Sequence, residues 1–432
     1  MEIAELYKLY IQHPVITTDS RECPEDSMFF ALKGASFNGN AFAAGALERG
    51  CRYAVVDEKE YVVPEDERYI LVDDVLKTLQ QLAHYHREQF KIPVIEVTGT
   101  NGKTTTKELM ACVLSKKYNV LYTQGNFNNH IGVPKTLLRL TAEHTIAVIE
   151  TGANHPGEIK TLAEIVDPDF GIITNVGMAH IEGFGSFEGV VRTKGELYDY
   201  LRGKHGAVFV DRDSKDLTGM AGGLHQICYG APGGDTLSVE GEVVECAPFL
   251  KFRWRPAGGE WQTVQTQLIG AYNVKNLMAA ATVGRAFGVP VEQINDALAA
   301  YKPVNNRSQL TETADNKLIV DAYNANPTSM MAALENFRDM KVDNKMVILG
   351  NMGELGGASW REHQKVVDFL VGESFRHVWL VGHGFKSLQH PFRTFDNVEQ
   401  VKQALSIKKP KGYYILIKAS HAMKLYELPD YL

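Results

Sequence analysis

One stretch of the chain predicts the fold: Ile95-Glu96-Val97-Thr98-Gly99-Thr100-Asn101-Gly102-Lys103-Thr104-Thr105-Thr106. The residues up to Thr98 form a short apolar run typical of a buried strand, and residues 107–118 repeat apolar side chains at helical spacing. The loop between them contains two glycines, which let backbone amides approach an anion closely. Because a helix dipole adds positive charge at the same point, the stretch predicts a phosphate-binding strand, loop and helix.

The side chains of this loop favour a nucleoside triphosphate as the bound phosphate compound. Lys103 can reach the β- and γ-phosphates, and the hydroxyl group of Thr104 can hold Mg²⁺. The general P-loop has a further glycine five residues before Gly102, where this chain has Val97. The alternative interpretation is a strand, turn and helix in which Gly-Lys-Thr occurs by accident. We favour the phosphate loop because the spacing and the predicted elements agree.

Length and composition limit the class of protein. A chain of 432 residues is too long for one compact core and predicts about two to four domains. The formal charge of -7 argues against a nucleic-acid partner, and no apolar run reaches the roughly eighteen residues that span a bilayer. The five cysteines are scattered and the acidic N-terminus lacks a signal-peptide core, so we expect a cytoplasmic protein with reduced thiols.

The order of expected elements divides the chain into three segments. Residues 1–90 mix helices with short strands, and we expect strands at 29–34, 53–57 and 69–73 and a helix at 75–90. Residues 91–302 predict a mostly parallel sheet with strands at 94–98, 146–150, 170–175 and 207–211, a hairpin at 250–268 and a helix at 273–287. From residue 303, a smaller α/β sheet is expected from strands at 318–321, 345–350, 377–382 and 413–418.

Polar side chains near the ends of predicted strands are candidate ligands, because open α/β sheets bind ligands beyond the carboxyl ends of their strands. Glu150 ends one strand and can coordinate Mg²⁺. Alone it would be a solvated acid, but the phosphate loop favours a metal ligand. His180 follows the next strand and is a candidate ligand of a second ion, although a single histidine is usually structural. Lys194 is placed at the start of a helix, where a lysine is ordinarily a solvated charge.

One loop is unusually rich in hydrogen-bond donors and in glycine: Gly125-Asn126-Phe127-Asn128-Asn129-His130-Ile131-Gly132-Val133-Pro134. Its amides and flexible backbone suit phosphate, sugar or peptide groups, although as a bare turn it would be unremarkable.

Together these residues resemble the Mur ligase family. Residues 98–106 are similar to that family's ATP loop, and Glu150, His180 and Lys194 occur in the family's order. Two tracts resemble those of the members that join D-alanyl-D-alanine to UDP-N-acetylmuramoyl-tripeptide: Glu150-Thr151-Gly152-Ala153-Asn154-His155-Pro156-Gly157-Glu158-Ile159 and Asp321-Ala322-Tyr323-Asn324-Ala325-Asn326-Pro327-Thr328-Ser329-Met330. The resemblance runs from residue 18 to residue 421.

The resemblance implies an α/β protein of three domains. Residues 1–90 would form a small mixed α/β domain that binds the UDP-sugar peptide. Residues 91–302 would form a P-loop-type ATPase domain, with helices on both faces of a mostly parallel sheet. Residues 303–432 would form a Rossmann-like ligase domain. Because Lys302-Pro303 has the character of a hinge, we expect the active site to assemble when the third domain closes.

The resemblance also implies roles for individual residues. The expected ATP contacts are Gly99, Thr100, Asn101, Gly102, Lys103, Thr104, Thr105, Asn273, Asn276, Arg307 and Asp321. The expected substrate contacts are Asp19, Ser20, Arg21, Lys33, Asn126, Asn128, Asn129, Asn324 and Asn326. Of two expected Mg²⁺ ions, Thr104 and Glu150 would hold the first and Glu150 and His180 the second. Lys194 would be carbamylated and act as an anionic ligand. The catalytic set would be Lys103, His180, Lys194 and Arg307.

The implied reaction is ATP-dependent formation of an amide bond between the UDP-sugar tripeptide and the dipeptide, through an acyl phosphate, in peptidoglycan precursor synthesis. We expect small-molecule substrates, no nucleic acid, no membrane insertion and a monomer. The alternatives are another Mur-family or folate polyglutamate ligase that adds one amino acid, an NTP-dependent switch or kinase, and a non-catalytic nucleotide-binding module.

The chain departs from the family pattern at four positions. Tyr272 stands where histidine commonly precedes the adenine asparagine, and Asn351 stands where aspartate is frequent. Ala419 and His421 replace the glycine and arginine of a loop near the C-terminus, which bears on the dipeptide site.

Overall fold

The computed structural model describes residues 1–303, 307–373, 375 and 377–432. These residues form two compact units. The first unit comprises Met1–Glu96, Tyr118–Gly152 and Glu158–Asp169, and the second comprises Val97–Lys117, Ala153–Gly157 and Phe170–Leu432. Within the described ranges, every helix is too short or too polar to cross a membrane.

Strands and helices alternate along most of the chain. The strands of the described residues are β1 (Ile16–Thr17), β2 (Met28–Phe30), β3 (Lys33–Gly34), β4 (Phe37–Asn38), β5 (Tyr53–Val56), β6 (Tyr69–Leu71), β7 (Val94–Thr98), β8 (Val120–Tyr122), β9 (Ile146–Glu150), β10 (Phe170–Ile173), β11 (Ala207–Asp211), β12 (His225–Gly230), β13 (Leu237–Cys246), β14 (Phe249–Pro256), β15 (Gln262–Ile269), β16 (Gln309–Glu312), β17 (Lys317–Asp321), β18 (Lys345–Gly350), β19 (His377–Val381), β20 (Arg393–Phe395) and β21 (Tyr414–Lys418).

The α-helices of the same residues are α1 (Ile3–Gln12), α2 (Ala43–Glu48), α3 (Val75–Glu88), α4 (Lys103–Leu114), α5 (Gly132–Leu137), α6 (Glu158–Val166), α7 (Ile181–Phe184), α8 (Phe187–Lys204), α9 (Lys215–Met220), α10 (Asn273–Ala286), α11 (Val291–Ala300), α12 (Pro327–Asp339), α13 (Ser359–Gly372), α14 (His383–Lys386) and α15 (Val398–Ile407). Helix α4 begins at Lys103, inside the stretch 95–106 that was expected to contain a helix start, and ends at Leu114, four residues before the end of the apolar pattern at 107–118.

The first unit contains a four-stranded parallel sheet in the order β1-β2-β5-β6. Helix α3 begins at an aspartate cap, where the Asp74 carboxylate accepts a hydrogen bond from the backbone amide of Lys77 at 2.8 Å. Its apolar face contributes Val75, Leu79 and Leu82 to a core that also includes Ala147 and Ile149 of β9. Strand β9 pairs in parallel with β8 in the same unit.

The expected single strand at residues 29–34 is wrong. The backbone amide of Leu32 bonds to the carbonyl oxygen of Phe30 at 2.9 Å, so the chain turns sharply after β2. Lys33 and Gly34 instead form β3, which pairs antiparallel with β4 in a separate two-stranded sheet. Apolar periodicity could not separate these two short strands, because the turn lies inside the apolar run.

The second unit contains a run of strands in the order β15-β14-β13-β12-β11-β10. The pairs from β10 to β13 are parallel, and the pairs among β13, β14 and β15 are antiparallel. The expected hairpin is confirmed as β14 and β15. The sequence did not predict the antiparallel pairing of β13 with it, because β13 is half exposed and alternates less regularly.

A six-stranded sheet in the same unit has the order β16-β17-β21-β18-β19-β20. Its pairs are parallel except for the edge strand β16, which pairs antiparallel with β17. The four strands expected in this segment are confirmed within one residue at each end. The α/β class expected from the sequence is therefore confirmed, and the carboxyl ends of the parallel strands are the places to look for a site.

Candidate functional site

The loop after β7 has two backbone positions that favour glycine. Gly99 has φ of +141° and Gly102 has φ of +77°. A β-carbon on Gly99 would lie 2.0 Å from Thr174 Oγ1, and one on Gly102 would lie 2.7 Å from Asn276 Oδ1. The two glycines therefore allow both the turn and the close approach of neighbouring side chains.

The residues after β10 hold this loop in place. The backbone amide of Thr100 bonds to the carbonyl oxygen of Asn175 at 2.9 Å, and that of Asn101 bonds to Asn175 Oδ1 at 3.0 Å. Asn175 Nδ2 and Thr174 Oγ1 donate to the carbonyl oxygen of Asn101 at 2.9 and 2.7 Å. Sequence reasoning missed both residues as site residues. Their signal was available, because they end the strand predicted at 170–175, as Glu150 ends the strand predicted at 146–150; the observed strand β10 stops at Ile173.

Lys103 is the first residue of α4, and its side chain folds back over the loop. Its Nζ atom donates to the carbonyl oxygens of Gly99 and Thr100 at 2.9 and 3.1 Å. Thr104, in the same first turn, is buried, and Thr105 is half-buried. A cation and the free end of a helix therefore meet at one loop, which is the arrangement that holds a polyphosphate.

Asn273 and Asn276 lie in the first turn of α10 and are buried. Asn276 Oδ1 accepts from Thr106 Oγ1 at 3.1 Å, and Asn276 Nδ2 donates to Asn273 Oδ1 at 2.8 Å. Asn273 Nδ2 in turn donates to the carbonyl oxygen of Ile269 at 2.8 Å. This chain of amides joins the start of α10 to α4, directly beside Gly102.

In the first unit, Glu150 ends β9 and is 1% exposed. Its Oε1 atom accepts a hydrogen bond from Asn128 Nδ2 at 2.8 Å, and its backbone amide donates to Thr123 Oγ1 at 2.9 Å. Asn129 Oδ1 accepts from the backbone amides of the residues that begin α5, and Asn126 is exposed. Asn128 therefore contacts the candidate metal ligand Glu150, whereas the Asn129 side chain bonds to the backbone at the start of α5.

Within the second unit, His180 and Lys194 flank α7. His180 has φ of +51°, and its Nδ1 atom contacts a carboxylate oxygen of Glu354. The hydrogen bond from His180 lowers the pKa of the Glu354 carboxyl. Lys194 is 2% exposed, with Nζ 5.5 Å from the ring centroid of Phe184. It lies in the interior of α8, which begins at Phe187, so its expected position at a helix start is wrong.

These donors suit magnesium in their chemistry. Mg²⁺ prefers hard oxygen ligands, which the Thr104 hydroxyl and the Glu150 carboxylate provide. A hydrogen bond that orients a carboxylate, such as that from Asn128, is the usual support of a metal ligand. Among the described residues, no three His, Cys, Asp or Glu side chains form a metal-binding cluster by themselves.

In the third segment of the chain, Arg307 and Asp321 each have a defined partner. The guanidinium carbon of Arg307 lies 4.1 Å from the ring centroid of Tyr323, in a cation–π contact. The Asp321 carboxylate pairs with Lys418 Nζ at 2.5 Å, at the ends of neighbouring parallel strands. Lys418 is buried and also donates to the carbonyl oxygen of Asn324 at 3.3 Å. Lys418 was not predicted as a site residue, although it too ends an apolar strand.

The expected UDP-sugar contacts lie in the first unit. Arg21 donates to both carboxylate oxygens of Asp19 at 2.9 and 2.7 Å, and these hydrogen bonds lower the pKa of Asp19. Ser20 lies between them and is half-buried. Lys33 pairs with Asp57 at 3.0 Å and with Glu58 at 2.9 Å. The structure thus places Asp19 beside Arg21 and gives Lys33 two carboxylate partners.

Models of the Mur ligase family match three parts of the chain. The family's catalytic domain matches residues 14–87, its middle domain matches residues 97–284, and its glutamate ligase domain matches residues 306–421.

Similar proteins cover nearly the whole chain. The UDP-N-acetylmuramoyl-tripeptide–D-alanyl-D-alanine ligase of Bacillus subtilis (strain 168) is 33% identical over 99% of this chain and 96% of its own length. The enzyme of the same name from Escherichia coli (strain K12) is 33% identical over 88% of this chain and 83% of its own.

Two solved structures have the same architecture. MurF from Acinetobacter baumannii has a TM-score of 0.84 at 32% identity and covers 96% of this chain and 92% of its own. MurF ligase from Thermotoga maritima, in complex with ADP, has a TM-score of 0.86 at 26% identity and covers 96% of each chain. The chain therefore belongs to the Mur ligase family.

Proposed function

We propose that this protein joins D-alanyl-D-alanine to UDP-N-acetylmuramoyl-tripeptide at the expense of ATP, in the cytoplasmic synthesis of peptidoglycan precursors. The strongest support for this proposal is the conformation of the phosphate loop. Lys103 folds over the loop, and Asn175 bonds to its backbone. It occurs in a chain that matches, over 99% of its length, a ligase named for this reaction.

The chemistry requires activation of the peptide, because a carboxylate is a poor electrophile. The peptide carboxylate attacks the γ-phosphorus of ATP, which gives an acyl phosphate and ADP. The amine of the dipeptide then attacks the acyl carbon, and a tetrahedral intermediate forms. Collapse of this intermediate releases inorganic phosphate and leaves the amide bond, while the amine loses its proton.

The protein's own groups act on the charge of the transferring phosphoryl group. We assign the stabilisation of that charge to Lys103 and Arg307, together with the amides of the loop Gly99, Thr100, Asn101, Gly102, Thr104 and Thr105. Asn273 and Asn276 are assigned to the adenine and Asp321 to the ribose. Two Mg²⁺ ions, when bound, would neutralise phosphate charge. The proposed ligands are Thr104 and Glu150 for the first ion and Glu150 and His180 for the second, with carbamylated Lys194 as an anionic ligand.

The remaining assignments complete the proposal. Asp19, Ser20, Arg21, Lys33 and the asparagines of residues 126–129 would contact the UDP-sugar peptide, and Asn324 would contact substrate from the third segment. The proposed domains are residues 1–90, 91–302 and 303–432, and the proposed active form is a monomer.

The test is phosphate release from ATP in the presence of Mg²⁺, UDP-N-acetylmuramoyl-tripeptide and a panel of amines. The panel holds D-alanyl-D-alanine, D-alanine, L-glutamate and a diamino acid. We expect phosphate release only with the dipeptide. Equal release with a single amino acid would reject the proposed amine and favour a ligase that adds one residue.

A further inference from the structure

The side-chain amide of Asn326 makes hydrogen bonds in two places. Asn326 precedes α12, and its Oδ1 atom accepts a hydrogen bond from the backbone amide of Ser329 at 2.9 Å. The backbone amide of Asn326 bonds to Ser329 Oγ at 3.1 Å in return, which completes a capping box. Pro327 follows as the first residue of the helix. Reciprocal hydrogen bonds therefore fix the conformation of this end of α12.

The same amide also reaches the phosphate loop. Asn326 Nδ2 donates to Asn101 Oδ1 at 2.8 Å, and Asn101 Nδ2 lies 3.5 Å from Asn326 Oδ1. Asn326 is 3% exposed and Asn101 is half-buried, so the pair is partly shielded from water. The two residues are 225 positions apart in the sequence and belong to the same compact unit. The pair therefore joins the start of α12 to the middle of the loop, between Gly99 and Gly102.

A second contact joins this helix end to the segment after β10, which supports the loop. The backbone amide of Met178 donates to Thr328 Oγ1 at 3.2 Å. The chain passes close by at Gly177, where a β-carbon would lie 3.0 Å from Thr328 Oγ1. Gly177 itself bonds through its backbone amide to Thr100 Oγ1 at 3.0 Å. One helix start thus contacts both the phosphate loop and the segment that positions it.

From these contacts we propose that Asn326 and Thr328 form a clamp that fixes the phosphate loop in its nucleotide-binding conformation. Asn326 is then a positioning residue for ATP, acting through Asn101, rather than a contact to the peptide substrate. The proposal rests on the proposed function in one respect, namely that the loop binds ATP. Its consequence is that ATP affinity depends on a residue of the third segment that need not touch ATP.

The clamp predicts a loss of affinity of limited size. A loop that is no longer preorganised must be ordered by the ligand, and the lost hydrogen bond is partly buried. The net contribution of one such bond corresponds to about a three- to tenfold rise in the Kd of ATP. Binding of the UDP-sugar peptide should not change.

The variant Asn326→Ser isolates the clamp from the helix cap. Serine is a favoured N-cap and can still accept from the amide of Ser329, but it is too short to reach Asn101. The matched control is Asn397→Ser. Asn397 also caps a helix, α15, by accepting from the backbone amide of Gln400 at 3.2 Å, and α15 follows the edge strand β20.

The experiment is calorimetric titration of the full chain with ATP in the presence of Mg²⁺, for the wild type, both serine variants, Asn101→Ser and the double variant Asn101→Ser/Asn326→Ser. We expect a higher Kd for Asn326→Ser and an unchanged Kd for Asn397→Ser. The Kd of ATP for the double variant should be close to that of Asn101→Ser or Asn326→Ser, because each single substitution already removes the same interaction. Steady-state kinetics should show a raised KM for ATP and an unchanged KM for the UDP-sugar peptide.

Three results would overturn the clamp. The first is an unchanged ATP affinity of Asn326→Ser with a raised KM for the UDP-sugar peptide, which would make Asn326 a substrate contact. The second is an equal effect of both cap variants, which would make the effect one of helix stability. The third is full additivity in the double variant. Calorimetry does not require ligation, so a wild type that binds ATP but forms no amide would refute the proposed function alone.

Discussion

Lys103 is already placed over the phosphate loop by its contacts with the carbonyl oxygens of Gly99 and Thr100. When a triphosphate binds, the same ammonium group can turn from these neutral acceptors to a phosphate oxygen, which is a stronger partner. We predict that Lys103→Ala lowers phosphate release by about two to three orders of magnitude, as expected for loss of a transition-state donor. The measurement is phosphate release with all three substrates present.

Thermal unfolding provides the control for this variant. Lys103 is half-buried and lies at a helix start, so its truncation should leave the melting temperature nearly unchanged. A variant that is folded and releases phosphate at close to the wild-type rate would remove Lys103 from the mechanism.

Glu96 is a buried acid on β7. It is 0% exposed, and its Oε1 atom accepts from Thr151 Oγ1 at 2.7 Å. Its Oε2 atom has no hydrogen-bond partner among the residues that the structure describes. Burial raises the pKa of Glu96 to about 8. Between the unfolded and folded pKa values, the folded chain keeps a proton that the unfolded chain has lost. The stabilisation by this proton is therefore full at low pH and is lost as pH rises towards 8.

This linkage predicts a pH-dependent difference between the wild type and Glu96→Gln. Glutamine is neutral at every pH and can still accept a hydrogen bond from Thr151. From about pH 5.5 to about pH 7.5, the wild type loses stability at this site and the variant does not. The free energy of unfolding of the variant should therefore rise relative to that of the wild type by about 2 to 3 kcal/mol. Urea unfolding at the two pH values measures this change. A difference between the two proteins that stays constant with pH would mean that Glu96 is ionised in the fold.

At the scale of elements, the start of α4 depends on Gly102. A β-carbon there meets both the unfavourable positive φ and the Asn276 amide at 2.7 Å. We predict that Gly102→Ala destabilises the fold by about 1 to 3 kcal/mol and raises the Kd of ATP, because the loop must move away from its phosphate-binding shape. Urea unfolding and calorimetric titration with ATP and Mg²⁺ measure the two effects.

The chain offers a control that separates backbone strain from the clash. Gly258 also has a positive φ, of +68°, but a β-carbon there meets nothing within 4 Å. Gly258→Ala should therefore show the cost of strain alone and should leave ATP affinity unchanged. Equal effects of the two substitutions on ATP affinity would contradict a specific role for the start of α4.

Those strands and helices near the site that are determined by local sequence were predictable. Apolar runs set β7, β9 and β11 at the expected residues, and the two glycines and Lys103 marked the loop and the helix start. The long-range partners were not predictable in the same way. Asn101 and Asn326 are 225 residues apart, and Asp321 and Lys418 are 97 apart, so only the folded chain shows that each pair meets. Family resemblance placed Asp321 and Asn326 in the site but did not indicate these contacts.

At the scale of the whole molecule, bound nucleotide should stabilise the unit that carries the phosphate loop. A ligand that binds only the folded state adds about 2.7 kcal/mol at a concentration of about 100 times its Kd. We predict that ATP with Mg²⁺ raises the melting temperature and that excess EDTA abolishes most of the rise, since the metal carries much of the phosphate charge. An identical rise in EDTA would contradict the proposed magnesium ligands.

The proposed reaction has two peptide substrates, the UDP-sugar tripeptide and the dipeptide. The expected UDP-sugar contacts lie in the first unit, and the phosphate loop and Arg307 lie in the second. Phosphate leaves only when the dipeptide amine attacks the acyl phosphate of the tripeptide, so phosphate release and product formation should require the tripeptide and the dipeptide together.

The most direct test of this account is the mass of the product. The purified chain is incubated with ATP, Mg²⁺, UDP-N-acetylmuramoyl-tripeptide and an equimolar mixture of D-alanyl-D-alanine and single amino acids, and the UDP-sugar peptide is then weighed by mass spectrometry. We predict one product, heavier than the tripeptide substrate by the dipeptide less one water, and none when ATP is omitted. A product that has gained a single amino acid, or an unchanged tripeptide beside consumed ATP, would contradict it.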